Sequence, residues 1–476
     1  MKHGTVFVSG TFNVLHPGHL RLLKFARESG EKLVVGVLSD RIAGVAAHVP
    51  QELRLDSVKM NGLVDDAFII EDSVIDVILK LKPALVVKGK EHRTHENSEQ
   101  KAVDSYGGKL LFSSGDVVFS SLDLIRREMG IQEPKAISLP IDFMLRRGVT
   151  NSSLLSLLSK MEKIKVVVVG DTIADEYISC DPLGMSEEDP TIVVTPISTR
   201  TFIGGAAIVA AHASSLGAKV KYFSVVGNDE TAKFCRGELT KYGVEHDLLI
   251  DDARPTTLKQ RFRSRNKTLL RVSHLVQRSI DESMQASLSS KVIAACQDAD
   301  LLIFSDFNYG CLPQAVVDQI IAVAVKNEIK IVADSQSSSQ IGDIARFRNA
   351  DLLLPTEREA RLALRNTEDG LVVLAELVCK VADANCVILK LGEQGVLLHG
   401  RRGSSWETDQ IEALNSAPQD VAGAGDCMMV AASLAMTVGA NLWESGTLGS
   451  LAAAIQVGRV GNTPITQAEL LHELSE

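Results

Sequence analysis

The amino-acid sequence predicts an α/β protein of two domains, each a parallel sheet covered by helices. The chain has 476 residues, which is enough for more than one hydrophobic core. Short apolar runs alternate with amphipathic stretches over residues 4–128, and a second such series runs from Lys165 onwards. Because a proline-containing stretch breaks the alternation, we predict domains at 1–130 and 159–476, joined by a linker at 131–158.

The first series alternates strands and helices throughout. Apolar runs typical of buried parallel strands occur at 6–9, 33–38, 67–70, 85–87 and 109–112. The amphipathic stretches between and after them predict helices at 18–29, 51–62, 73–80, 97–106 and 120–128. Ligands are expected at the carboxyl ends of such strands.

The second series predicts a larger sheet and a small one set apart from it. Strands are expected at 166–169, 219–226, 301–305, 329–333, 352–354 and 386–391, and helices at 151–160, 427–437 and 443–458. Short β-rich pieces between Ile178 and Phe202 predict a small β lid, and a basic β-rich stretch follows at 257–272.

The composition excludes several classes of protein. A net charge of −10 and a pI near 5.7 argue against a general nucleic-acid or membrane-surface binder. The seven cysteines are scattered without CxxC spacing, which favours a reducing compartment. No apolar run is long enough to span a bilayer, and the N-terminus shows no signal-peptide pattern. We therefore expect a cytoplasmic protein with neither nucleic acid nor membrane as partner.

A glycine turn near the C-terminus, Gly423-Ala424-Gly425-Asp426, precedes a small apolar run and is the strongest chemical signal. Glycines let backbone N–H groups close on an anion, and the dipole of the following helix favours negative charge there. Asp426 would then take a proton from a hydroxyl that attacks a phosphate. The chain has no GxxxxGK[ST] motif, so this would be ATP chemistry without a P-loop. The alternative is a helix N-terminus whose Asp has no special role.

A second turn, close to the N-terminus, contains Gly10-Thr11-Phe12 and two imidazoles, His16 and His19, separated by Pro-Gly. Imidazoles beside a helix start can donate hydrogen bonds to phosphate oxygens and stabilise charge on a nucleotide attacked at its α-phosphate. Two alternatives remain open, a metal-binding pair and a merely structural turn.

The first half resembles the cytidylyltransferase-type nucleotidyltransferases, which implies a Rossmann-like fold. The resemblance implies that His16 and His19 act on the phosphates, with pyrophosphate leaving after direct attack by a sugar 1-phosphate. The further nucleotide-binding residues that it implies are Gly10, Thr11, Phe12, Arg54, Lys88, Ser120 and Ser121. Ser120 is equally compatible with an ordinary helix N-cap.

The second half resembles the ribokinase-type sugar kinases. The resemblance implies that Asp426 is the general base and that Glu359 helps to hold Mg²⁺ through water. It implies nucleotide contacts from Gly392, Gly395, Ala424 and Gly425, and sugar-phosphate contacts from Asp171, Gly204, Gly205, Lys259, Arg261 and Arg271. The alternatives are an exposed helix residue for Glu359, a turn residue for Asp171 and solvated strand charges for the basic residues.

Together the halves resemble the bifunctional heptose synthetases, with the domain order reversed. This implies ATP-dependent phosphorylation of D-glycero-D-manno-heptose 7-phosphate at C1 and adenylyl transfer to heptose 1-phosphate, by a homo-oligomer such as a dimer. The sequence departs from the familiar pattern at several positions. Asn13 stands for the family's Asp, Ile208 and Thr356 each stand for an Asn, and Tyr309 stands for a lysine. The lysines usual after the second strand are absent, with residues 41–48 in their place. The alternatives are a different sugar phosphate and a first domain that only senses a nucleoside triphosphate.

Overall fold

A computed structural model describes residues 3–15, 17–88, 98–112, 136–186, 189, 191–264, 267–337, 342–403 and 405–475. The chain folds into two compact units, Met1–Lys135 and Ala136–Glu476. Both have the predicted α/β architecture, with parallel strands covered by helices.

The first unit contains a fully parallel sheet. Its strands are β1 (His3–Gly10), β2 (Gly30–Leu38), β3 (Asp66–Ile70), β4 (Leu85–Lys88) and β5 (Lys109–Phe112). Its described helices are α1 (Pro17–Ser29), α2 (Asp40–Ala43), α3 (Gln51–Lys59), α4 (Val74–Leu81) and α5 (Ser98–Asp104). The strand order is β3-β2-β1-β4-β5, so the order reverses next to β1 and places the turn after Gly10 where ligands bind in such sheets. The helix predicted at 120–128 lies outside the described residues.

Apolar side chains cover both faces of this sheet. Along β1, Val6 and Val8 belong to one buried cluster, whereas Phe7 between them belongs to another. This alternation is what a parallel strand buried on both faces requires.

The second unit contains a nine-stranded and a four-stranded sheet. The nine strands are β6 (Lys165–Gly170), β9 (Lys219–Val226), β10 (Glu245–Ile250), β13 (Leu301–Asp306), β14 (Lys330–Ser335), β15 (Leu352–Leu353), β16 (Cys386–Lys390), β17 (Val396–Arg402) and β18 (Ser405–Ile411). The four are β7 (Thr172–Met185), β8 (Ile192–Gly205), β11 (Thr257–Ser264) and β12 (Lys267–His274). The large sheet runs β10-β9-β6-β13-β14-β15-β16-β17-β18 and is parallel as far as β16, beyond which the pairs are antiparallel.

Helices cover the large sheet. They are α6 (Ile141–Arg147), α7 (Asn151–Lys160), α8 (Ala206–Ser215), α9 (Glu230–Lys241), α10 (Glu282–Ala295), α11 (Gln314–Lys326), α12 (Glu357–Leu364), α13 (Leu371–Ala382), α14 (Ala424–Thr437), α15 (Leu442–Val457) and α16 (Gln467–Ser475). Again one strand serves two cores, because Val166 and Val168 of β6 belong to one cluster and Val167 and Val169 to the other.

The small sheet differs in detail from the expected lid. Its order is β12-β11-β7-β8, so the basic stretch at 257–272 belongs to it. β7 and β8 are long continuous strands rather than short pieces, with register shifts near Ser179 and Pro182. Such irregularities bend and twist a strand locally.

The linker predicted at 131–158 must be redrawn, because residues 136–158 are part of the second unit. The Ser138 amide donates to the Leu414 carbonyl at 2.9 Å, and the Arg147 guanidinium lies 3.9 Å from the centre of the Trp443 ring. Leu154, Leu157 and Leu158 of α7 are buried as well. The proline-containing stretch therefore includes packed structure as well as the connection between units.

Two further observations bear on the predicted cellular compartment. Within the described ranges, no helix has the length and apolar character needed to cross a membrane. All seven cysteines are unpaired and buried.

Candidate active sites

A cavity of about 1030 Å³ in the second unit lies between its two sheets and contains most of the predicted kinase residues. Those that line it are Gly205, Lys259, Arg261, Arg271, Glu359, Gly392, Gly395, Ala424, Gly425 and Asp426. Asp171 and Gly204 do not line it, and Asp175, Gln336, Lys390 and Asn462 line it without having been predicted.

The glycine turn opens α14 at one wall of this cavity. Gly423 has φ +77°, and a Cβ there would stand 1.9 Å from the Asn462 side-chain oxygen, so both backbone and space require glycine. Helix α14 begins directly after it, and the first N–H groups of a helix have no acceptor within the helix. The turn can therefore present backbone donors to an anion, as its sequence predicts.

Asp426 lies in the first turn of α14 and is 6% exposed. Burial, together with the nearby Asp334 carboxylate, raises its pKa to about 7, although Lys390 opposes the shift. The Gln336 amide donates a hydrogen bond to Asp426 at 3.4 Å. A carboxylate with a pKa near neutrality is well suited to accept a proton at physiological pH.

An ion pair that the sequence analysis missed lies beside this carboxylate. Lys390, the last residue of β16, places its ammonium 2.7 Å from Asp334, the fifth residue of β14. Burial opposes the Lys390 charge, but Asp334, Glu359 and Asp426 outweigh it and raise its pKa. Burial raises the pKa of Asp334 to about 6. A charged residue at the end of an apolar strand was the only signal in the sequence.

Asp171 does not contact the cavity, contrary to its predicted sugar-binding role. Its carboxylate accepts hydrogen bonds from the backbone N–H groups of Phe307 at 2.8 Å, Cys311 at 3.3 Å and Tyr309 at 3.4 Å. Because these donors surround the carboxylate and bury it, Asp171 fixes the loop after β13 instead. Asp175, four residues further along, takes the place facing the cavity.

Asp175 pairs with Arg261 at 3.1 Å on the neighbouring strand β11. A Cβ on Gly204 would stand 2.3 Å from the Asp175 carboxylate, so the role of Gly204 is to make room for this side chain. Burial raises the pKa of Asp175, and the positive charge of Arg261 opposes that shift. The alternation of side chains along β7 could have indicated Asp175, since every second residue of a strand lies on the same face.

The basic residues of the small sheet converge on the cavity. Arg261 and Arg271 are cross-strand partners on β11 and β12. The Lys259 ammonium lies 4.8 Å from the centre of the Phe307 ring and 5.1 Å from that of Tyr309, the residue that replaces the lysine expected in this loop. Three cations directed at one cavity are suited to a phosphate group.

Tyr177 connects this basic strand to the glycine turn. Its hydroxyl accepts a hydrogen bond from Arg261 at 2.7 Å and donates one to Asp420 at 2.9 Å. Asp420 in turn accepts from the Ala422 N–H at 3.2 Å, three residues before Gly425. A chain of hydrogen bonds therefore joins the basic residues of the small sheet to the turn that precedes Asp426.

Glu359 lines the cavity and also caps α12. Its carboxylate accepts from the Thr356 N–H at 2.7 Å and, through the other oxygen, from the Ser337 N–H at 3.0 Å. Thr356, which stands where the resembled kinases have Asn, accepts from the Glu359 N–H at 3.2 Å and completes a capping box. The departure at 356 therefore preserves the position of Glu359.

In the first unit, the predicted site begins where β1 ends. Phe12 has φ +51°, and its ring centre lies 5.0 Å from that of His19. The His19 ring nitrogen Nδ1 lies 3.1 Å from the Val14 carbonyl oxygen. His16, Ser120 and Ser121 lie outside the described residues, so the pairing of the two histidines stays a prediction.

Asn13, which replaces the family's Asp, ties this turn to the segment where the expected lysines are missing. Its amide donates to the Ala46 carbonyl at 2.7 Å, and its oxygen accepts from the His48 N–H at 2.9 Å. The side chain is buried. It therefore fixes the loop at 46–48 against the turn.

Arg54 was predicted to bind nucleotide, but the structure gives it another role. Its side chain is 0% exposed, and three guanidinium nitrogens donate to the carbonyls of Val49 and Thr11, at 2.7 and 2.6 Å, and to Asp40 at 2.5 Å. Because the guanidinium is enclosed, Arg54 holds the backbone of Thr11 in place and does not face a ligand. Lys88, the other predicted cation, pairs with Glu99 at 2.7 Å.

In comparisons with known proteins, each unit matches a different family model. Residues 163–468 match the model of the pfkB family carbohydrate kinases, and residues 7–111 match the cytidylyltransferase-like model.

Among relatives, the D-beta-D-heptose 7-phosphate kinase of Bordetella bronchiseptica is 30% identical over 316 residues, covering 66% of this chain and 97% of the relative. The bifunctional protein HldE of Rhodopseudomonas palustris (strain BisB5) is 28% identical over 325 residues, covering 67% of this chain and 65% of the relative. The match thus spans just under two thirds of that bifunctional relative.

Solved structures resemble the fold of the larger unit. Phosphofructokinase-2 from Escherichia coli in complex with potassium has a TM-score of 0.54 at 17% identity, covering 66% of this chain and 100% of its own. Arabidopsis thaliana ribokinase complexed with ribose and ATP has a TM-score of 0.52 at 20% identity, covering 66% and 99%.

Proposed function

Because the chain belongs to the pfkB family of carbohydrate kinases, we propose that its second unit phosphorylates a sugar phosphate and its first unit activates a sugar 1-phosphate with a nucleotide. The cavity carries this proposal, since it combines an anion-binding turn, a buried carboxylate and a cluster of basic residues. The sugar phosphate would bind between the two sheets, with Lys259, Arg261 and Arg271 at its phosphate and Asp175 at its hydroxyls.

In the kinase step, Asp426 accepts the proton of the attacking sugar hydroxyl. The oxygen forms a bond to the γ-phosphorus of ATP, the bond to the bridging oxygen breaks, and ADP leaves. Backbone N–H groups at Ala424 and Gly425 stabilise the charge of the transferred group, because such transfer depends mainly on positioning and electrostatics.

Mg²⁺ fits this site through Glu359. Each oxygen of that carboxylate holds one backbone N–H and keeps a further lone pair, and Mg²⁺ typically uses few carboxylates, several waters and the phosphates themselves. The part of the chain that the structure describes has no group of three or more acidic, histidine or cysteine side chains that would hold a metal. When bound, the ion would supply positive charge to the phosphates of ATP.

The sugar that we propose is D-glycero-D-manno-heptose 7-phosphate, phosphorylated at C1. The relative named as a heptose 7-phosphate kinase, matched over nearly its whole length, supports this choice. A different sugar phosphate is the second candidate, because Thr356, which lines the cavity, departs from the familiar pattern, as do Ile208 and Tyr309.

For the first unit we propose adenylyl transfer to heptose 1-phosphate, once another enzyme has removed the 7-phosphate. The sugar-phosphate oxygen would attack the α-phosphorus of ATP and release pyrophosphate. A nucleotide-sensing role is the second candidate here. It is favoured by the enclosed Arg54 and by the pairing of Lys88 with Glu99, which leave less positive charge for a triphosphate.

The test is a screen of sugar phosphates with ATP, CTP or GTP and Mg²⁺, in which ADP and pyrophosphate are measured separately. We expect ADP with heptose 7-phosphate and pyrophosphate with heptose 1-phosphate. His19→Ala should lose most pyrophosphate release and keep the kinase rate. Nucleotide binding that changes the kinase rate, without pyrophosphate in any combination, would favour the sensing role.

We further propose that the protein is a cytoplasmic dimer. Exposed apolar side chains on the small sheet, including Leu183, Met185, Ile192 and Ile197, support association through that sheet. The seven unpaired, buried cysteines support a reducing compartment. Sedimentation analysis would distinguish a dimer from a monomer.

A further inference from the structure

We propose that Lys390 is a phosphate-binding residue of the kinase, which neutralises the phosphoryl group as it passes across the glycine turn. The inference rests on the proposed kinase function and adds to it a residue of β16 that neither the motifs nor the fold identified. Its basis is the position of one buried ammonium group, the carboxylates that surround it and the turn above it.

The Lys390 ammonium lies directly against the turn. A Cβ added to Gly425 would stand 3.3 Å from this nitrogen, and the carbon chain of Lys390 follows at 3.5 Å. Lys390, Gly425 and Asp426 line the same cavity. A group held by the backbone donors of Ala424 and Gly425 is therefore within reach of the ammonium.

The charge of Lys390 is retained although its side chain is only 13% exposed. Its partner Asp334 has one oxygen in the ion pair, whereas the other, Oδ1, is buried without a hydrogen-bond partner. Glu359 and Asp426 also face this charge from α12 and α14, and Lys259 faces Asp426 from the small sheet. Three carboxylates would repel an incoming phosphoryl group, and Lys390 is placed to offset that repulsion.

A purely structural ion pair is the competing explanation, and one pair of variants separates the two. Lys390→Met alone leaves a buried carboxylate without a partner, which destabilises a protein for reasons unrelated to catalysis. Lys390→Met combined with Asp334→Asn removes both charges together and keeps the side chains close to their original size. A structural pair should tolerate the double change, whereas a phosphate-binding lysine should not.

We expect the double variant to remain folded and its kcat for ADP formation to fall about a hundredfold, the usual cost of one preorganised donor in such a site. Lys390→Arg should recover part of the rate. The matched control is Lys291→Met, which removes a surface lysine paired with Asp247 at 2.5 Å, away from the cavity, and should leave kcat unchanged. A folded double variant with kcat within threefold of the wild type would overturn the proposal.

The pH profile tests whether the Lys390 charge acts on the catalytic base. Asp426 faces the carboxylates of Asp334 and Asp175 and the cations of Lys390 and Lys259. Removing Lys390 alone should shift the acid limb of kcat/KM to higher pH, because a positive charge that favours the ionised base is lost. An unshifted limb in an active Lys390→Met enzyme would count against the proposal.

Nucleotide binding separates this inference from the proposed function. If none of the sugar phosphates caused the wild type to form ADP, the proposed function would fail. The contact between Lys390 and the nucleotide phosphates could still be measured by calorimetry without sugar. ATP should bind the double variant about tenfold more weakly than the wild type, and adenosine equally well. An unchanged ratio of the two affinities would overturn the role of Lys390 whichever sugar is the substrate.

Discussion

Both units place a glycine-containing turn before a helix, and both bury a cation near it, but they use that cation differently. In the first unit, the Arg54 guanidinium donates hydrogen bonds to two backbone carbonyls and to the Asp40 carboxylate, and it is fully buried. In the second, Lys390 meets Asp334 and retains a place at the wall of a cavity. The comparison shows that Arg54 is enclosed by three protein acceptors, whereas Lys390 pairs with one carboxylate and lines a cavity, which is the basis of the different roles we assign to them.

The largest expected effect lies at the turn of the second unit. Asp426→Asn keeps the shape of the site and removes the base, so ADP formation should fall by about a hundredfold to ten-thousandfold. Pyrophosphate release by the first unit should be unchanged, which serves as the internal control. Near-normal kinase turnover in this variant would show that Asp426 is not the base and that the turn acts through its backbone alone.

The next effect concerns the enclosed cation of the first unit. Arg54→Met should lower the free energy of unfolding of that unit by about 3 kcal/mol, because buried carbonyl acceptors lose their donors. Arg41→Met is the matched control, since Arg41 pairs with Asp72 on the surface. Chemical denaturation of the full chain, followed by hydrogen exchange in each unit, measures the change. A variant with normal stability but weak ATP binding would restore the predicted nucleotide role of Arg54.

A smaller effect concerns the stability of the second unit, because burying the Asp426 carboxylate in its charged form costs free energy. The pKa of Asp426 is raised from 3.8 to about 7 in the folded protein, so its contribution to stability is greatest below pH 3.8 and is lost as the pH rises through 7. Asp426→Asn, although inactive, should therefore have a larger free energy of unfolding than the wild type at pH 8, by about 1.4 kcal/mol for each unit by which the pKa is raised, and should unfold at a higher temperature. The gain should diminish between pH 7 and pH 4, and a gain independent of pH would contradict the assignment.

The smallest effect is expected along the hydrogen-bonded chain that ends at the turn. Tyr177→Phe keeps the ring against Phe202 and removes only the hydroxyl between Arg261 and Asp420. Loss of about 1 kcal/mol should raise the KM for the sugar phosphate about fivefold. The affinity for ATP should not change, and an equal loss for both substrates would mean that the chain supports the whole cavity instead.

Much of the fold was predictable because it depends on alternation, which is a local property. The apolar runs that predicted β1 and β6 also predicted their burial on both faces, and the glycine turn at 423–426 identified the start of α14. The segment at 136–158 was not predictable in the same way. Its role depends on contacts with Leu414 and Trp443, which lie hundreds of residues away and leave no local pattern.

The sites were predictable where a residue acts through a motif and not where it acts through its neighbours. Asp426 and Glu359 belong to short motifs and line the cavity. Asp171 belongs to one as well, but three backbone donors surround it, and Asp175 faces the cavity in its place. Lys390 was missed because nothing about a single lysine at the end of a strand distinguishes a cavity wall from solvent.

The first long helix and the last helix of the second unit lie close together, and this bears on how the domain can be joined to others. Its α7 and α16 are its first long helix and its last, and they lie side by side: the Asn151 amide donates to the Leu474 carbonyl at 3.1 Å, and the Gln467 amide to the Leu158 carbonyl at 2.6 Å. Neighbouring ends make a domain tolerant of circular permutation and of insertion into another gene. A module built in this way can accept a companion domain at either end.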